Sequence, residues 1–137
     1  MSSFPFYHQL DACDCGPTCL RMIAKYCGRQ YSASDIRERC HITKGGVSLL
    51  GISDAAESMG FHSVGVTITW EQLKEEVNLP CIVHWKQNHF IVVYGIKKRW
   101  GSIRILVADP ANGLIVYPEK GPFCAYSDCE CEFLCSQ

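Results

Sequence analysis

Cys15 stands in the run Gln9-Leu-Asp-Ala-Cys-Asp14-Cys15-Gly16-Pro17-Thr-Cys-Leu20, where an extended polar segment gives way to a helical pattern. Pro17 suits the first turn of a helix, where its missing N–H costs nothing. A cysteine on that junction faces the positive end of the helix dipole and the unpaired first-turn N–H groups. Both favour thiolate over thiol, and the thiolate is the nucleophile. His89 opens a strongly apolar run after the polar loop Lys86-Gln87-Asn88, and Asp109 ends the next such run, before the turn signal Pro110-Ala-Asn-Gly113. If those two runs are neighbouring strands, His89 and Asp109 can meet through one hydrogen bond. Nucleophile, base and orienting carboxylate are the parts of a cysteine–histidine–carboxylate triad. Gln9, six residues before Cys15, can reach back over the helix start, where its amide and the Cys15 N–H would form an oxyanion hole.

Each of these residues also has a plain structural reading. A lone histidine is usually surface or satisfied core, Asp-Pro commonly starts a turn, and a glutamine near a cysteine means little alone. The chain has five histidines, of which His8, His41, His62 and His84 have no comparable setting. Cys13 is too close to Cys15 for an easy disulfide and is poorly placed for catalysis. On the residues alone, a thiol enzyme and a scatter of packing and turn residues both stand.

The elements that must position this set are legible as spacing. Cys19, Leu20, Ile23, Ala24 and Cys27 fall at helical intervals, predicting a helix from about Cys15 to Tyr26 that stops at Gly28. Ser32 with Asp35 announces a second helix carrying Ile36 and Cys40. Ser48 caps a third, with Leu49, Ile52, Ala55, Ala56 and Met59 on one face before Gly60. Phe61 to Thr69 reads as a strand and Glu71 to Val77 as a short amphipathic helix. Four apolar or alternating runs follow, at 80–85, 89–95, 102–109 and 114–117, with Lys97-Lys98-Arg99-Trp100-Gly101 as a hairpin turn. Helices first and strands later predict an α+β fold, helices packed on an antiparallel sheet.

A chain of 137 residues, 47% apolar, fits one domain with a sizeable core. A net charge of −1 with both signs mixed is expected to give no footprint for nucleic acid and no basic patch for anionic lipid. No apolar run approaches the roughly 20 residues that a membrane helix needs. The N-terminus carries neither a charged n-region nor an apolar h-region, so no secretory signal is expected. The 10 cysteines are then expected as mostly free thiols in a reducing compartment. Cys19 and Cys27 are expected on the inner face of the first helix and, with Cys40 and Cys81, as small packing hydrophobes.

The combination of segments resembles the bacteriocin-processing cysteine peptidase domains, the double-glycine leader peptidases at the N-terminus of peptidase-containing ABC transporters. The nucleophile segment, the helix Gly45-Gly46-Val-Ser48-Leu-Leu-Gly51-Ile-Ser-Asp-Ala-Ala56, and the runs around His89 and Ala108-Asp109-Pro110 stand in the family's order, from about residue 5 to 118. The resemblance implies a papain-like fold with Cys15 as nucleophile, His89 as base and acid, Asp109 as orienting carboxylate and Gln9 as oxyanion donor. It implies removal of the leader from a ribosomally made precursor peptide after a Gly-Gly pair, with no cofactor and no metal. It also implies work beside the membrane and nucleotide-binding domains of an ABC transporter, on the cytoplasmic side of the bacterial inner membrane. Trp85 is expected to wall the cleft, and the leader to bind as an amphipathic helix in a surface groove.

Two departures and a rival remain. The domain is expected over 1–119, with 120–137 as an atypical cysteine-rich tail, irregular, disordered or artificially appended. Cys124, Cys129, Cys131 and Cys135 are the four tail cysteines, and their spacing matches no standard zinc site. The chain ends before any transmembrane segment, so an excised transporter domain and a free-standing relative are both expected forms. The rival function is a non-catalytic module that only binds leader or cargo, as in degenerate relatives; the intact residue set argues against it.

Overall fold

The computed structural model describes residues 4–42, 46–76, 78–85, 89–119 and 129–136, with the backbone alone for Glu76, Trp85 and 129–136. Three helices come first. Helix α1 (Cys15–Tyr26) is buried around most of its circumference, through Gly16, Cys19, Leu20, Met22, Ile23 and Ala24. It ends as its glycine predicts: Gly28 has φ +86°, and the Arg29 N–H closes on the Ala24 carbonyl. Helix α2 (Ala33–Cys40) begins at Ser32, whose hydroxyl accepts the Asp35 N–H. Helix α3 (Leu49–Ser58) begins likewise at Ser48, which accepts from Gly51. Of the expected packing cysteines, Cys19, Cys40 and Cys81 are buried, whereas Cys27 is exposed. Cys27 is the C-cap of α1, where the chain has already left the helix's inner face.

Strand β1 (Phe61–Ile68) is followed by helix α4 (Trp70–Glu76), then strands β2 (Cys81–Trp85), β3 (His89–Arg99), β4 (Ser102–Asp109), β5 (Gly113–Pro118) and β6 (Cys129–Ser136). Thr69 and Gln72 close the start of α4 as a reciprocal capping box, a signal the sequence carried and the helical reading passed over. The expected five-residue hairpin turn is shorter in fact. Strand β3 runs on through Arg99, and Trp100-Gly101 alone turns the chain, with φ +55° and +75°. That mirror-image two-residue turn matches the twist of the strands it joins.

All strand pairs are antiparallel, in the order β1-β6-β2-β3-β4-β5. The boundary expected at residue 119 therefore does not divide a domain from a tail. Residues 129–136 pair with β1 on one side and with β2 on the other, inside the sheet. Helices α1–α3 cover one face of the sheet, over Ile82, Phe90, Val92 and Ala108. Helix α4 covers the other, where Trp70 and Leu73 pack on Cys81, Val83, Ile91, Val93, Ile105 and Val107. Burial on both faces explains why β2 and β3 read as unbroken apolar runs rather than alternating ones. It also fixes the start of β3 and the end of β4 against the head of α1.

Candidate active site

The Val92↔Ala108 register of β3 on β4 brings the start of one strand beside the end of the other. His89 Nε2 lies 2.7 Å from Asp109 Oδ1, and the His89 ring hydrogen-bonds the Cys15 thiol. With Nε2 taken by the carboxylate, the bond to sulfur falls to Nδ1. The three residues named from separate segments of sequence are thus joined in one line.

Cys15 is 5% exposed at the first position of α1. No side chain caps that helix, so its first-turn N–H groups face the sulfur's end of the cleft. Burial pushes the Cys15 thiol up, but hydrogen bonds and charge from His89, with the N–H groups of Phe90 and Gly16, outweigh it; Cys15 ionises below the ordinary thiol value. Its neighbours go the other way. Burial, then the charge of Cys15, pushes Cys19 well up, and burial takes Cys40 to about 12. Contact with His89, rather than residue type, sets Cys15 apart from the other buried thiols.

The bond to Cys15 raises His89 most; burial opposes, and Asp109 adds to the rise. For Asp109 burial pushes upward, yet the Asn112 side chain, the Ala111 N–H and His89 together hold the carboxyl below its ordinary value. Ala111 N–H donates to Oδ1 at 2.9 Å and Asn112 Nδ2 to Oδ2 at 3.0 Å. Sequence reasoning read Pro110-Ala-Asn-Gly113 only as a turn. The signal was there: an Asp that starts a turn accepts the backbone N–H two residues on.

Gln9 is tied to the same corner by its backbone, whose N–H donates to the Pro110 carbonyl at 3.0 Å. Its Nε2 donates to the Asp11 carbonyl at 3.1 Å, which also accepts the N–H of Asp14. The Gln9 Oε1 is buried with no hydrogen-bond partner. One amide hydrogen of Nε2 is engaged in the bond to Asp11. Asp14, also missed as a structural partner, is buried beside Arg37, whose Nε stands 3.0 Å from Oδ1. The two are an ion pair by distance and not an aligned hydrogen bond. Burial pushes the Asp14 carboxyl up and Arg37 draws it back. Asp14 with Arg37 and Pro17 lines a surface pocket of about 250 Å³ including open solvent, one residue from the sulfur.

Trp85 pairs in register with His89, so its backbone adjoins the cleft; its side chain lies outside the described residues. Cys124 also lies outside them, and Cys129, Cys131 and Cys135 are described as β6 backbone only. Among the described residues no group of three or more His, Cys, Asp or Glu could hold a metal ion. No helix there is long and apolar enough to cross a membrane.

Residues 3–123 match the model of the Peptidase C39 family. The chain is 30% identical over 110 residues to the colicin V secretion/processing ATP-binding protein CvaB of Escherichia coli, covering 80% of this chain and 15% of the relative. It is 32% identical over 107 residues to the pediocin PA-1 transport/processing ATP-binding protein PedD of Pediococcus acidilactici, covering 74% and 14%. The chain thus spans about one seventh of the length of the curated relatives it matches. A double glycine motif protease from an AMS/PCAT transporter, solved with its leader peptide, superposes with a TM-score of 0.90 at 28% identity, covering 98% of this chain and 93% of that one. The peptidase domain of Streptococcus ComA superposes with a TM-score of 0.86 at 26% identity, covering 98% and 100%. Coverage of that extent reaches into β6.

Proposed function

This chain belongs to the peptidase C39 family, and from that premise we propose that it is a cysteine endopeptidase that removes double-glycine leaders from precursor peptides. Cys15 is the nucleophile, His89 the base and acid, Asp109 the orienting carboxylate and Gln9 the oxyanion donor. The observation that carries this reading is the Cys15–His89–Asp109 line, with an acidified thiol at one end and a buried, triply hydrogen-bonded carboxylate at the other.

The reactive form of the site is a thiolate beside an imidazolium. The thiolate attacks the carbonyl carbon of the second glycine, and the developing oxyanion is met by the Gln9 amide and the Cys15 N–H. His89 gives its Nδ1 proton to the leaving nitrogen as the C–N bond breaks. Water, deprotonated by the same nitrogen, then releases the leader from the thioester. No cofactor enters this sequence. A narrow cleft that excludes any Cβ accounts for the demand for glycine, with Trp85 as its proposed wall. The partners are a Gly-Gly precursor and the membrane and nucleotide-binding domains of an ABC transporter, at the cytoplasmic face of the bacterial inner membrane.

Incubation with a precursor containing Gly-Gly, followed by mass spectrometry, tests this. Wild type should release leader and mature peptide at the bond after Gly-Gly, and Cys15→Ala should release neither while still binding the precursor. Binding without cleavage by both would replace the peptidase reading with that of a leader-binding module.

A further inference from the structure

The tip of the β3–β4 hairpin is built unlike the rest of the surface. Trp100 is 92% exposed, in a left-handed conformation of φ +55° that suits Asn or Gly and is costly for a bulky side chain. Folding gives no reason for a tryptophan there. Lys97 stands directly across from Arg104 in the β3–β4 register, and Arg99 is two residues along on the same face. Like charges directly opposed across strands are unfavourable. No acidic partner within 4 Å is recorded for Lys97, Arg99 or Arg104 among the described residues. Lys98, on the other face, is held by an acid, Glu75 at 3.6 Å. In a chain of net charge −1 this is a local excess of positive charge with an aromatic at its apex.

We propose that this hairpin tip docks on the headgroup surface of a bilayer containing anionic phospholipid. Trp100 seats at the interface, where an amphipathic ring is favoured, and Lys97, Arg99 and Arg104 meet the phosphates. The tip is convex, so it offers a flat acidic surface what it cannot offer a peptide helix, which needs a groove. His89 begins the strand that Arg99 ends, so docking holds the candidate cleft on the order of 30 Å from the lipid. The proposal stands whether or not the Gly-Gly reading does.

The test is co-sedimentation of the 137-residue chain with vesicles of phosphatidylcholine alone and with equal parts phosphatidylglycerol. Binding is expected to the anionic vesicles only, falling as salt is raised. Each cation near the surface is worth about fivefold, so the triple change Lys97→Gln, Arg99→Gln, Arg104→Gln should lower partitioning about a hundredfold. Trp100→Asn, which suits the turn better, should melt at the same or a higher temperature yet lose the vesicle-dependent blue shift of tryptophan emission. Equal binding to both vesicle types, or wild-type binding by the triple variant, would overturn the proposal. A raised KM for precursor peptide in the triple variant without vesicles would overturn it in favour of a peptide contact.

Discussion

Asp109 does two jobs with two oxygens. Oδ1 orients His89, and both are anchored by the turn that follows, through Ala111 and Asn112. If this set catalyses, activity rises with pH as Cys15 ionises, at a pH below the ordinary thiol value. It falls when His89 loses its proton, at a pH above the ordinary imidazole value. Asp109→Asn removes one of the groups that raise His89, so the descending limb should move to lower pH, with kcat reduced about 10²–10⁴-fold. A pH–rate profile of kcat/KM reads both limbs. Gln9→Ala should cost about 10²–10³ in kcat with KM little changed, since the amide serves the transition state. The proximity of Cys15, His89 and Asp109 was legible in sequence because each sits where a pattern changes: coil to helix, loop to strand, strand to turn. The Asp14–Arg37 pair was not, because one partner precedes α1 and the other lies in α2, and no local pattern encodes how those helices cross.

Helix α1 holds Cys15 by close approach of its neighbours. A Cβ on Gly16 would clash with the Val47 side chain and stand 2.9 Å from Ile52 Cδ1, so α3 and the segment before it pack on the residue next to the sulfur. Gly16→Ala should therefore destabilise by about 1–3 kcal/mol through overpacking. It should lower kcat more than a surface change of equal melting shift, as thermal melts beside single-turnover kinetics would reveal. Helix starts were read correctly wherever a serine hydroxyl takes the first-turn N–H, as at Ser32 and Ser48. The length of β3 was misread because three basic residues and a tryptophan look like a loop. In the fold Lys97, Lys98 and Arg99 are exposed at the end of a strand whose other residues are buried or half-buried.

At the scale of the molecule, the sheet is closed by its last strand. β6 lies between β1 and β2, pairing eight residues with the first and four with the second. Its alternating Cys-Glu-Cys-Glu pattern is a strand signature in plain sight. Its place was not legible, because its partners begin at residues 61 and 81 and strand order across such distances is set by the whole core. Removing residues 120–137 should leave β1 without a sheet neighbour and expose the paired edge of β2. Size-exclusion chromatography should then find aggregate, and circular dichroism no cooperative melt; a soluble, sharply melting fragment would show that β6 is dispensable. The order of strands also sets a clock. A ribosome delivers Cys15 early and His89 and Asp109 well after it, but the sheet that braces them waits for residue 136. A nascent chain therefore carries the Cys15 thiol long before it carries a finished sheet, and translation itself delays the moment at which His89 and Asp109 are held beside that thiol.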